Sequence, residues 1–505
     1  MRVTFDQLIS AITEQSSFDI NAEQKVKIQK TYEFLLEFSD DKVIYGINTG
    51  FGPMAQYKIA PNDLKTLQYN LVRSHAAGTG NVLTEEQTRA AMICRLNSLS
   101  LAKSGVSMGV IETLETYLNA NIYPEIYCHG GVGASGDLVQ LAHLALGLIG
   151  EGYAYHNGER HKTADLLKEK NITPLDLKLR DGLALINGTS CMSGLALLNI
   201  WKAQNLIDWS IKISAMINEI ISSYDDSFSA ELNGVKQHKG QQEVAERMRT
   251  FLTGSQLIKK REDHLFKNAS IHPDKFVEKV QEYYSIRCVP QIIGPIVDTI
   301  DYAQKTVVDE VNSANDNPIT IVEANNVFHG GNFHGDYISF EMDKVKIAIT
   351  KLSMLMERQL NYLLNARLNE KFPPFLNKGT LGLNFGLQAM QFTATSTTAE
   401  NQTLSNPMYV HSISCNNDNQ DIVSMGTNSA LIADTVIENT YQVLAIELIA
   451  IAQAIDISEC KDKIGAQSLA IFNQISELAA GIDKDEPGFE KITRVRNFLT
   501  EELYK

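Results

Sequence analysis

Several features are scarce in this chain of 505 residues, and each absence excludes a class of protein. The six cysteines are scattered and form no Cys-x-x-Cys pair, which argues against a disulfide framework and against a zinc site. No block of like charge is longer than a few residues, and the formal net charge is -15. Because proteins that follow a phosphate backbone present a basic face, we expect no nucleic-acid partner.

Long hydrophobic runs are also missing. The N-terminal segment MRVTFDQLIS lacks the apolar core of a secretory signal. The most apolar run, residues 443–455, is interrupted by Glu447 and Gln453 and is too short to span a bilayer. We therefore expect a buried helix there, no membrane partner and, given the free thiols, a cytoplasmic location.

Helical patterns are abundant. Asn21 with Gln24, and Thr84 with Gln87, have the three-residue spacing of a capping box at a helix start. Long stretches with apolar residues at three- and four-residue steps predict long helices in segments 195–224, 290–311, 341–372 and 427–458. These patterns predict a mainly α protein, with an N-terminal domain over residues 1–190 and an elongated bundle of long helices with a C-terminal helical region over 191–505.

Glycine and asparagine cluster between these helices. The clusters are residues 45–55 (YGINTGFGPMA), 130–138 (GGVGASGDL), 187–194 (NGTSCMSG), 312–318 (NSANDNP) and 329–336 (HGGNFHGD). Binding and catalytic residues concentrate in loops on a rigid scaffold. Five such loops in one chain predict a composite site.

The loop at 130–138 could in principle hold a phosphate, because glycine-rich turns expose backbone N–H groups. Gly131, Gly133 and Gly136 fit a Gly-x-Gly-x-x-Gly pattern, but no predicted strand precedes it. Asp137 and Leu138 stand where a P-loop has lysine and a hydroxyl residue, and the carboxylate would repel a phosphate. No nucleotide and no metal are therefore predicted.

Ala134, Ser135 and Gly136 suggest a different chemistry. If the nitrogen of Gly136 attacks the carbonyl carbon of Ala134, a five-membered ring forms, provided that the chain bends into the strained turn that flanking glycines permit. Loss of water from the ring and from the Ser135 side chain leaves an exocyclic methylidene, an electrophile that no ordinary side chain provides.

The chain resembles the aromatic amino-acid ammonia-lyase family, which includes histidine, phenylalanine and tyrosine enzymes and related aminomutases. The resemblance is carried in order by YGINTGFG, GASGDL, LALINGTS, QEYYSIRCVPQ, NDNP, GGNFHGD and NQDIVSMG, and is greatest to bacterial tyrosine ammonia-lyases. It implies an ammonia-lyase-like fold and a 4-methylidene-imidazole-5-one group (MIO) formed autocatalytically from the tripeptide. It also implies a homotetramer whose sites are shared between chains.

The resemblance also implies roles for individual residues. Tyr45 matches the family's base, and Gly52 lies in the same loop, where a side chain would hinder the substrate. Asn187 and Tyr284 match residues that contact the electrophile, where hydrogen bonds would stabilise arriving charge. The expected substrate contacts are the planar fork of Arg287 on the carboxylate, then Asn315, Phe333, Leu138 and Gln291.

Two signals for the substrate conflict. Ser74 and His75 form the pair typical of the histidine enzymes. Gln420 stands where those enzymes carry glutamate, and Asn416 matches asparagine in tyrosine enzymes. Neutral imidazole can also bond a phenol O–H. We therefore predict an L-tyrosine ammonia-lyase that forms trans-4-hydroxycinnamate.

Several alternatives stay open on the sequence. They are a histidine ammonia-lyase giving urocanate, a phenylalanine ammonia-lyase, an aminomutase, and a non-catalytic helical scaffold whose loop never cyclises. Fumarase-like lyases are also long helical bundles, but their GSSxMPxKxN-type loop is not found in the chain.

Overall fold

A computed structural model describes residues 2–267, 271–272, 274–479 and 484–504. Over these residues the protein is mainly helical with short strands, which confirms the predicted fold class. The helices are α1 (Phe5–Thr13), α2 (Ala22–Phe38), α3 (Leu64–His75), α4 (Glu85–Ser100), α5 (Met108–Asn119), α6 (Leu138–Leu148), α7 (Thr163–Lys170), α8 (Asp181–Ile186), α9 (Ser190–Ile220), α10 (Ala230–Gly234), α11 (Lys239–Phe251), α12 (Tyr284–Arg287), α13 (Val289–Val311), α14 (Asp336–Leu364), α15 (Ala366–Asn369), α16 (Gln388–Leu404), α17 (Gly426–Ser458), α18 (Ala466–Ala479) and α19 (Phe489–Glu501).

The strands form small antiparallel sheets. They are β1 (Thr79–Val82), β2 (Tyr123–Pro124), β3 (Tyr127–His129), β4 (Tyr153–His156), β5 (Glu159–Lys162), β6 (Ile271–His272), β7 (Lys275–Phe276), β8 (Ile319–Ile321) and β9 (Asn326–Phe328). Strand β1 pairs with β3, β4 lies between β2 and β5, β6 pairs with β7, and β8 pairs with β9.

The predicted helix starts are confirmed by their caps. The Asn21 side chain accepts a hydrogen bond from Gln24 N at 2.9 Å. Thr84 and Gln87 form a reciprocal capping box, with distances of 3.1 and 3.0 Å. The helix predicted to run to residue 372 ends at Leu364. The next residue, Asn365, begins the short helix α15 as its N-cap, where its side chain accepts a hydrogen bond from Arg367 N at 3.1 Å.

Helix α17 is, among the residues that the structure describes, the one helix long and apolar enough to cross a membrane. Most of its apolar window is buried inside the protein, as the sequence predicts for 443–455. The core helices of proteins that do not lie in a membrane are buried in the same way.

The chain divides into two compact units, each built from separate segments. Unit 1 comprises Met1–Trp201, Ala303–Asp343 and Pro407–Asp434, and unit 2 comprises Lys202–Tyr302, Lys344–Asn406 and Thr435–Lys505. The sequence analysis divided the chain once, near residue 190, and that domain boundary stays a prediction.

Each unit has its own core. In unit 1, helices α3, α6 and α8 contact one another, and α4 is buried along its length from Thr88 to Ser100. In unit 2, the buried amide of Asn401 on α16 donates to Ser353 on α14 and to Thr440 on α17, both at 3.2 Å. Such satisfied buried amides fix how the helices within a unit align.

Candidate active site

The glycine-rich loop brings the predicted cofactor tripeptide to the start of α6. Ala134 and Gly136 are buried, and Ser135 is partly exposed. Gly136 has a φ of +70°, and a Cβ atom there would lie 2.0 Å from the carbonyl oxygen of Gly188. Only glycine fits this close contact and this backbone conformation. The contact with Gly188 therefore fixes the backbone at the C-terminal end of the tripeptide.

Asp137 fixes the tripeptide from its C-terminal side. Its buried carboxylate accepts from the backbone N–H groups of Cys191 and Met192, both at 2.9 Å, and from the Thr427 hydroxyl. Its own N–H donates to Gly188 O at 2.8 Å. Burial raises the pKa of Asp137 to about 6, against the opposing effect of these hydrogen bonds. The carboxylate therefore ties the loop to the first turns of α9 and α17.

Two amides flank Ser135. Asn187 Nδ2 donates to the Ser135 carbonyl oxygen at 3.3 Å, and Gln420 Nε2 donates to Ser135 Oγ at 3.2 Å. Asn187 Oδ1 is buried and has no hydrogen-bond partner among the described residues. This oxygen lies beside the tripeptide, and it can accept a hydrogen bond from a group that forms when the tripeptide is modified. The donor set fits the predicted ring.

The candidate base, Tyr45, lies in the loop between α2 and α3. Its phenol oxygen accepts a hydrogen bond from Gly52 N at 3.0 Å, and its ring meets Phe51 edge-on at a centroid distance of 6.1 Å. A Cβ atom at Gly52 would lie 2.9 Å from Asn416 Nδ2. Tyr45, Gly52 and Asn416 are therefore held close together by the loop.

A cavity of about 300 Å³ in unit 1 joins these groups. Its polar lining comprises Tyr45, Asn70, Ser74, His75, Ser135, Asn187, Asn416, Asn419 and Gln420. Its apolar lining comprises Phe51, Pro53, Met54, Leu67, Leu71, Leu138, Leu183 and Ile186, together with Gly52. A mostly apolar cavity with a few polar groups is typical of a site for a small organic molecule.

His75 ends α3 in a defined tautomer. Its Nδ1 lies 2.9 Å from the carbonyl oxygen of Leu71 and 3.1 Å from Ser74 Oγ. A carbonyl oxygen can only accept, so Nδ1 carries a proton, and in the neutral imidazole Nε2 keeps its lone pair. The imidazole can thus accept a hydrogen bond from a molecule in the cavity.

Seven predicted site residues do not line this cavity, and two of them, Ala134 and Gly136, are buried in the loop on either side of Ser135. Asn315 is buried in unit 1, where it donates to Thr189 Oγ1 at 2.8 Å and accepts from Ser98 Oγ at 2.9 Å. Phe333 is half-buried in the same unit. The other three, Tyr284, Arg287 and Gln291, belong to unit 2.

In unit 2, the Tyr284 side chain is 71% exposed, and the Arg287 guanidinium packs over its ring at 4.8 Å. Arg287 also donates to Gln281. Gln291 donates to Asn233 at 3.4 Å. The tyrosine and the arginine predicted to act on a substrate are therefore presented at the surface of this unit.

Sequence analysis missed some cavity residues. Leu67, Asn70, Leu71 and Ser74 follow the three- and four-residue spacing of one helical face, a signal that was available once Ser74 was singled out. Asp316, which lies next to Asn315, forms a fully buried ion pair with Arg180 at 3.0 Å. Nothing in the local sequence indicates that partner.

Comparison with known proteins agrees with this geometry. A family model described as aromatic amino acid lyase matches residues 3–477. The MIO-dependent tyrosine 2,3-aminomutase of Streptomyces globisporus is 38% identical, over 99% of this chain and 93% of that protein. A histidine ammonia-lyase of Geobacillus thermodenitrificans is also 38% identical, over 92% of this chain and 89% of its own length.

Solved structures agree as well. The crystal structure of the tyrosine aminomutase from Streptomyces globisporus aligns with a TM-score of 0.95 at 36% identity, covering 100% of this chain and 96% of that one. The fold is thus the ammonia-lyase-like one predicted. The Streptomyces globisporus relative is named as MIO-dependent, and the buried turn at Ala134, Ser135 and Gly136 fits the same group. The cofactor loop, the cavity and these similarities over almost the whole length lead to one conclusion: the chain is an enzyme that belongs to the aromatic amino acid lyase family.

Proposed function

We propose that the enzyme removes ammonia from L-tyrosine and releases trans-4-hydroxycinnamate. The observation that carries the proposal is the tautomer of His75, whose Nδ1 is bonded to the Leu71 carbonyl so that Nε2 accepts. A phenol O–H is a matching donor. Four of the similar proteins are named tyrosine 2,3-aminomutases, which supports tyrosine as the amino acid.

The cavity disfavours phenylalanine on physical grounds. A phenylalanine ring would leave His75 Nε2 desolvated and unpaired, which costs about 1–3 kcal/mol. A site built to bond a hydroxyl discriminates strongly against the analogue that lacks it. Histidine could also donate to Nε2, so His75 alone does not separate tyrosine from histidine.

Gln420 bears on histidine less directly than the sequence suggests. Its Nε2 donates to the Ser135 hydroxyl, which is lost when the cofactor forms. A neutral amide at this position also lacks the carboxylate that would strengthen a bond to an imidazole N–H. The neutral amide therefore favours tyrosine over histidine as substrate.

The chain's own residues supply the proton transfer and the positioning. An MIO group formed from Ala134, Ser135 and Gly136 would supply the electrophile for the substrate's amine. Tyr45 removes the β proton as general base, and the Gly52 N–H fixes the position of its oxygen. Asn187 directs a donor at the Ser135 carbonyl, and His75 holds the phenol.

The test is incubation of the purified enzyme with L-tyrosine, L-phenylalanine and L-histidine at equal concentrations. We expect 4-hydroxycinnamate to form fastest, measured by its ultraviolet absorbance, with Ser135→Ala as the control for contaminating activity. Faster formation of urocanate from histidine would contradict the proposal. It would favour a histidine ammonia-lyase, the activity for which the pair Ser74 and His75 is typical.

A second candidate is tyrosine 2,3-aminomutase activity, which is the activity named for relatives that match over almost the full chain. An aminomutase also removes ammonia first and then returns it to carbon 3. Chromatography of the same reactions separates the two activities, because only the aminomutase forms 3-amino-3-(4-hydroxyphenyl)propanoate as a major product.

We further propose that the working enzyme is a homotetramer in which another copy of the chain supplies Tyr284 and Arg287 to the cavity. The exposure of Tyr284 in unit 2 supports this arrangement, because it leaves the side chain accessible to another copy of the chain. Arg287 would clamp the substrate carboxylate with its planar fork.

Co-expression of two inactive variants tests the sharing of sites. Tyr45→Phe with Tyr284→Phe should restore about a quarter of wild-type activity, if the chains assort at random. Tyr45→Phe with Ser135→Ala is the matched control, since both residues line one cavity of one chain and no mixture rebuilds it. No recovery in the first pair, with mixed oligomers verified by mass, would exclude the sharing.

A further inference from the structure

The contact between Gln420 and Ser135 has no use in the turnover described above. Gln420 Nε2 lies 3.2 Å from the oxygen of the Ser135 side chain. That oxygen is not part of the mature cofactor, because it leaves when the methylidene forms. A donor directed at it can act only while the cofactor is being made.

The orientation of the Gln420 amide is fixed. Its backbone pairs with Cys415 in both directions, at 3.1 and 3.3 Å, which closes a narrow loop. The Cys415 thiol donates to Gln420 Oε1 at 3.7 Å, so the Nε2 end points to Ser135. A donor held at both the backbone and the side chain needs no rearrangement to act.

Cofactor formation loses two waters. In the first loss, the nitrogen of Gly136 bonds to the carbonyl carbon of Ala134, and that carbonyl oxygen departs with the amide hydrogens of Gly136 and Ser135. In the second loss, Ser135 gives up its Cα hydrogen and its hydroxyl, and a Cα=Cβ double bond forms. Hydroxide is a poor leaving group, so a donor to the departing oxygen lowers the barrier of this second step.

We propose that Gln420 is a catalytic residue of cofactor formation, donating to Ser135 Oγ as that hydroxyl leaves. Asn187 acts on the other oxygen of the same residue, the carbonyl, at 3.3 Å. The two amides divide the work: Asn187 stabilises the charge that develops when the Cα hydrogen is removed, and Gln420 stabilises the departing oxygen.

Intact mass during synthesis tests the proposal, because each loss lowers the chain mass by about 18 Da. The full-length chain is made in a cell-free reaction, synthesis is stopped, and the mass is followed over time. In Gln420→Met, which keeps length but has no donor, we expect the second loss to slow by roughly tenfold to a hundredfold. Chains lacking one water should accumulate, and fragmentation should locate that loss in the backbone ring.

Controls separate this role from a structural one. Asn419→Leu changes another cavity amide of the same loop, for which no bond to Ser135 is found in the described part of the chain, and should mature at the wild-type rate. Gln420→Glu keeps the shape and donates only when protonated, so it is a second variant if Gln420→Met fails to show wild-type helical circular dichroism.

The outcomes are distinct. Accumulation of the one-water species with the Ser135 hydroxyl intact, in a folded variant, supports the proposal. Loss of both waters at the wild-type rate in the two Gln420 variants overturns it. A folded variant with unchanged mass, or a one-water species that has lost the Ser135 hydroxyl, also overturns it, because then Gln420 acts on ring closure instead.

Discussion

The two sides of the cavity are built in different ways. In the cofactor wall, formed by Ser135, Asn187 and Gln420, both amide side chains donate to Ser135, and the buried Asp137 follows Ser135 closely in the chain. The α3 wall, which runs from Leu67 to His75, bonds mainly to its own helix, and Ser74 on it is exposed. The difference indicates that the reaction is fixed by one wall, whereas substrate choice can change on the other.

The largest effect is expected on the cofactor wall. Ser135→Ala removes the hydroxyl whose loss creates the methylidene, so we predict a fall in turnover of at least about a thousandfold in a folded protein. Steady-state assays measure the fall, and intact mass verifies that no second water is lost. Near-normal turnover by a pure variant would contradict the conclusion that the cofactor wall fixes the reaction, because the electrophile would then lie elsewhere.

Asp137→Asn is expected to change how stability depends on pH. Burial raises the pKa of Asp137 from 3.8 to about 6 in the folded protein. The folded state therefore binds the proton more tightly, and this contribution to stability is present below about pH 4 and is lost as the pH rises through about 6. Two pKa units correspond to about 3 kcal/mol.

Asparagine keeps an acceptor for the N–H groups of Cys191 and Met192 but does not ionise. The wild type should therefore lose stability relative to Asp137→Asn between pH 4 and pH 7, as measured by thermal unfolding at each pH. A stability difference that is constant across this range would mean that the carboxylate does not change its charge within the fold.

His75→Phe probes the α3 wall. An apolar ring replaces the acceptor for the phenol, so we predict that the ratio of phenylalanine to tyrosine turnover rises by roughly fivefold to a hundredfold, equivalent to about 1–3 kcal/mol. The measurement is kcat/KM for both substrates. Ring formation, monitored by intact mass, should be normal in this variant, unlike in variants of the cofactor wall. Failure to form the ring would show that the two walls do not have separate roles.

The smallest effect is expected for Ser74→Ala. Ser74 Oγ donates to Leu71 O at 3.2 Å and lies beside His75 Nδ1 at 3.1 Å, so it helps to orient the imidazole. Because Ser74 is exposed, we predict a loss of tyrosine preference of only about twofold to fivefold. The matched comparison is Ser74→Thr, which keeps the hydroxyl. Equal preference in both variants would show that the Leu71 carbonyl alone orients His75.

Local patterns predicted much of the molecule. The long helices follow from apolar spacing, and α17 begins one residue before its predicted start. The cofactor tripeptide follows from three small residues among glycines. The partners of Ser135 could not be predicted in the same way, because Gln420 is 285 positions away and only the fold brings it to the hydroxyl. The assignment of Gln420 to the substrate ring depended on position alone and stays a prediction.

His75 is a second residue whose contacts could not be predicted from the sequence. Its importance is implied by the resemblance, but its tautomer depends on a carbonyl one helical turn earlier, which only the geometry identifies. Tyr284 and Arg287 belong to unit 2 and the cavity belongs to unit 1, a division of the chain that no local pattern indicates.

The hydrogen bond from Gln420 to Ser135 Oγ can exist in each molecule only until the cofactor is complete. A defect there would lower the number of working sites in a preparation without changing the speed of each site. Specific activity would then depend on how far cofactor formation had proceeded in the preparation as well as on the turnover rate of each site. Counting rings by mass or absorbance, and dividing activity by that count, is therefore needed before any variant of this loop is described as slow.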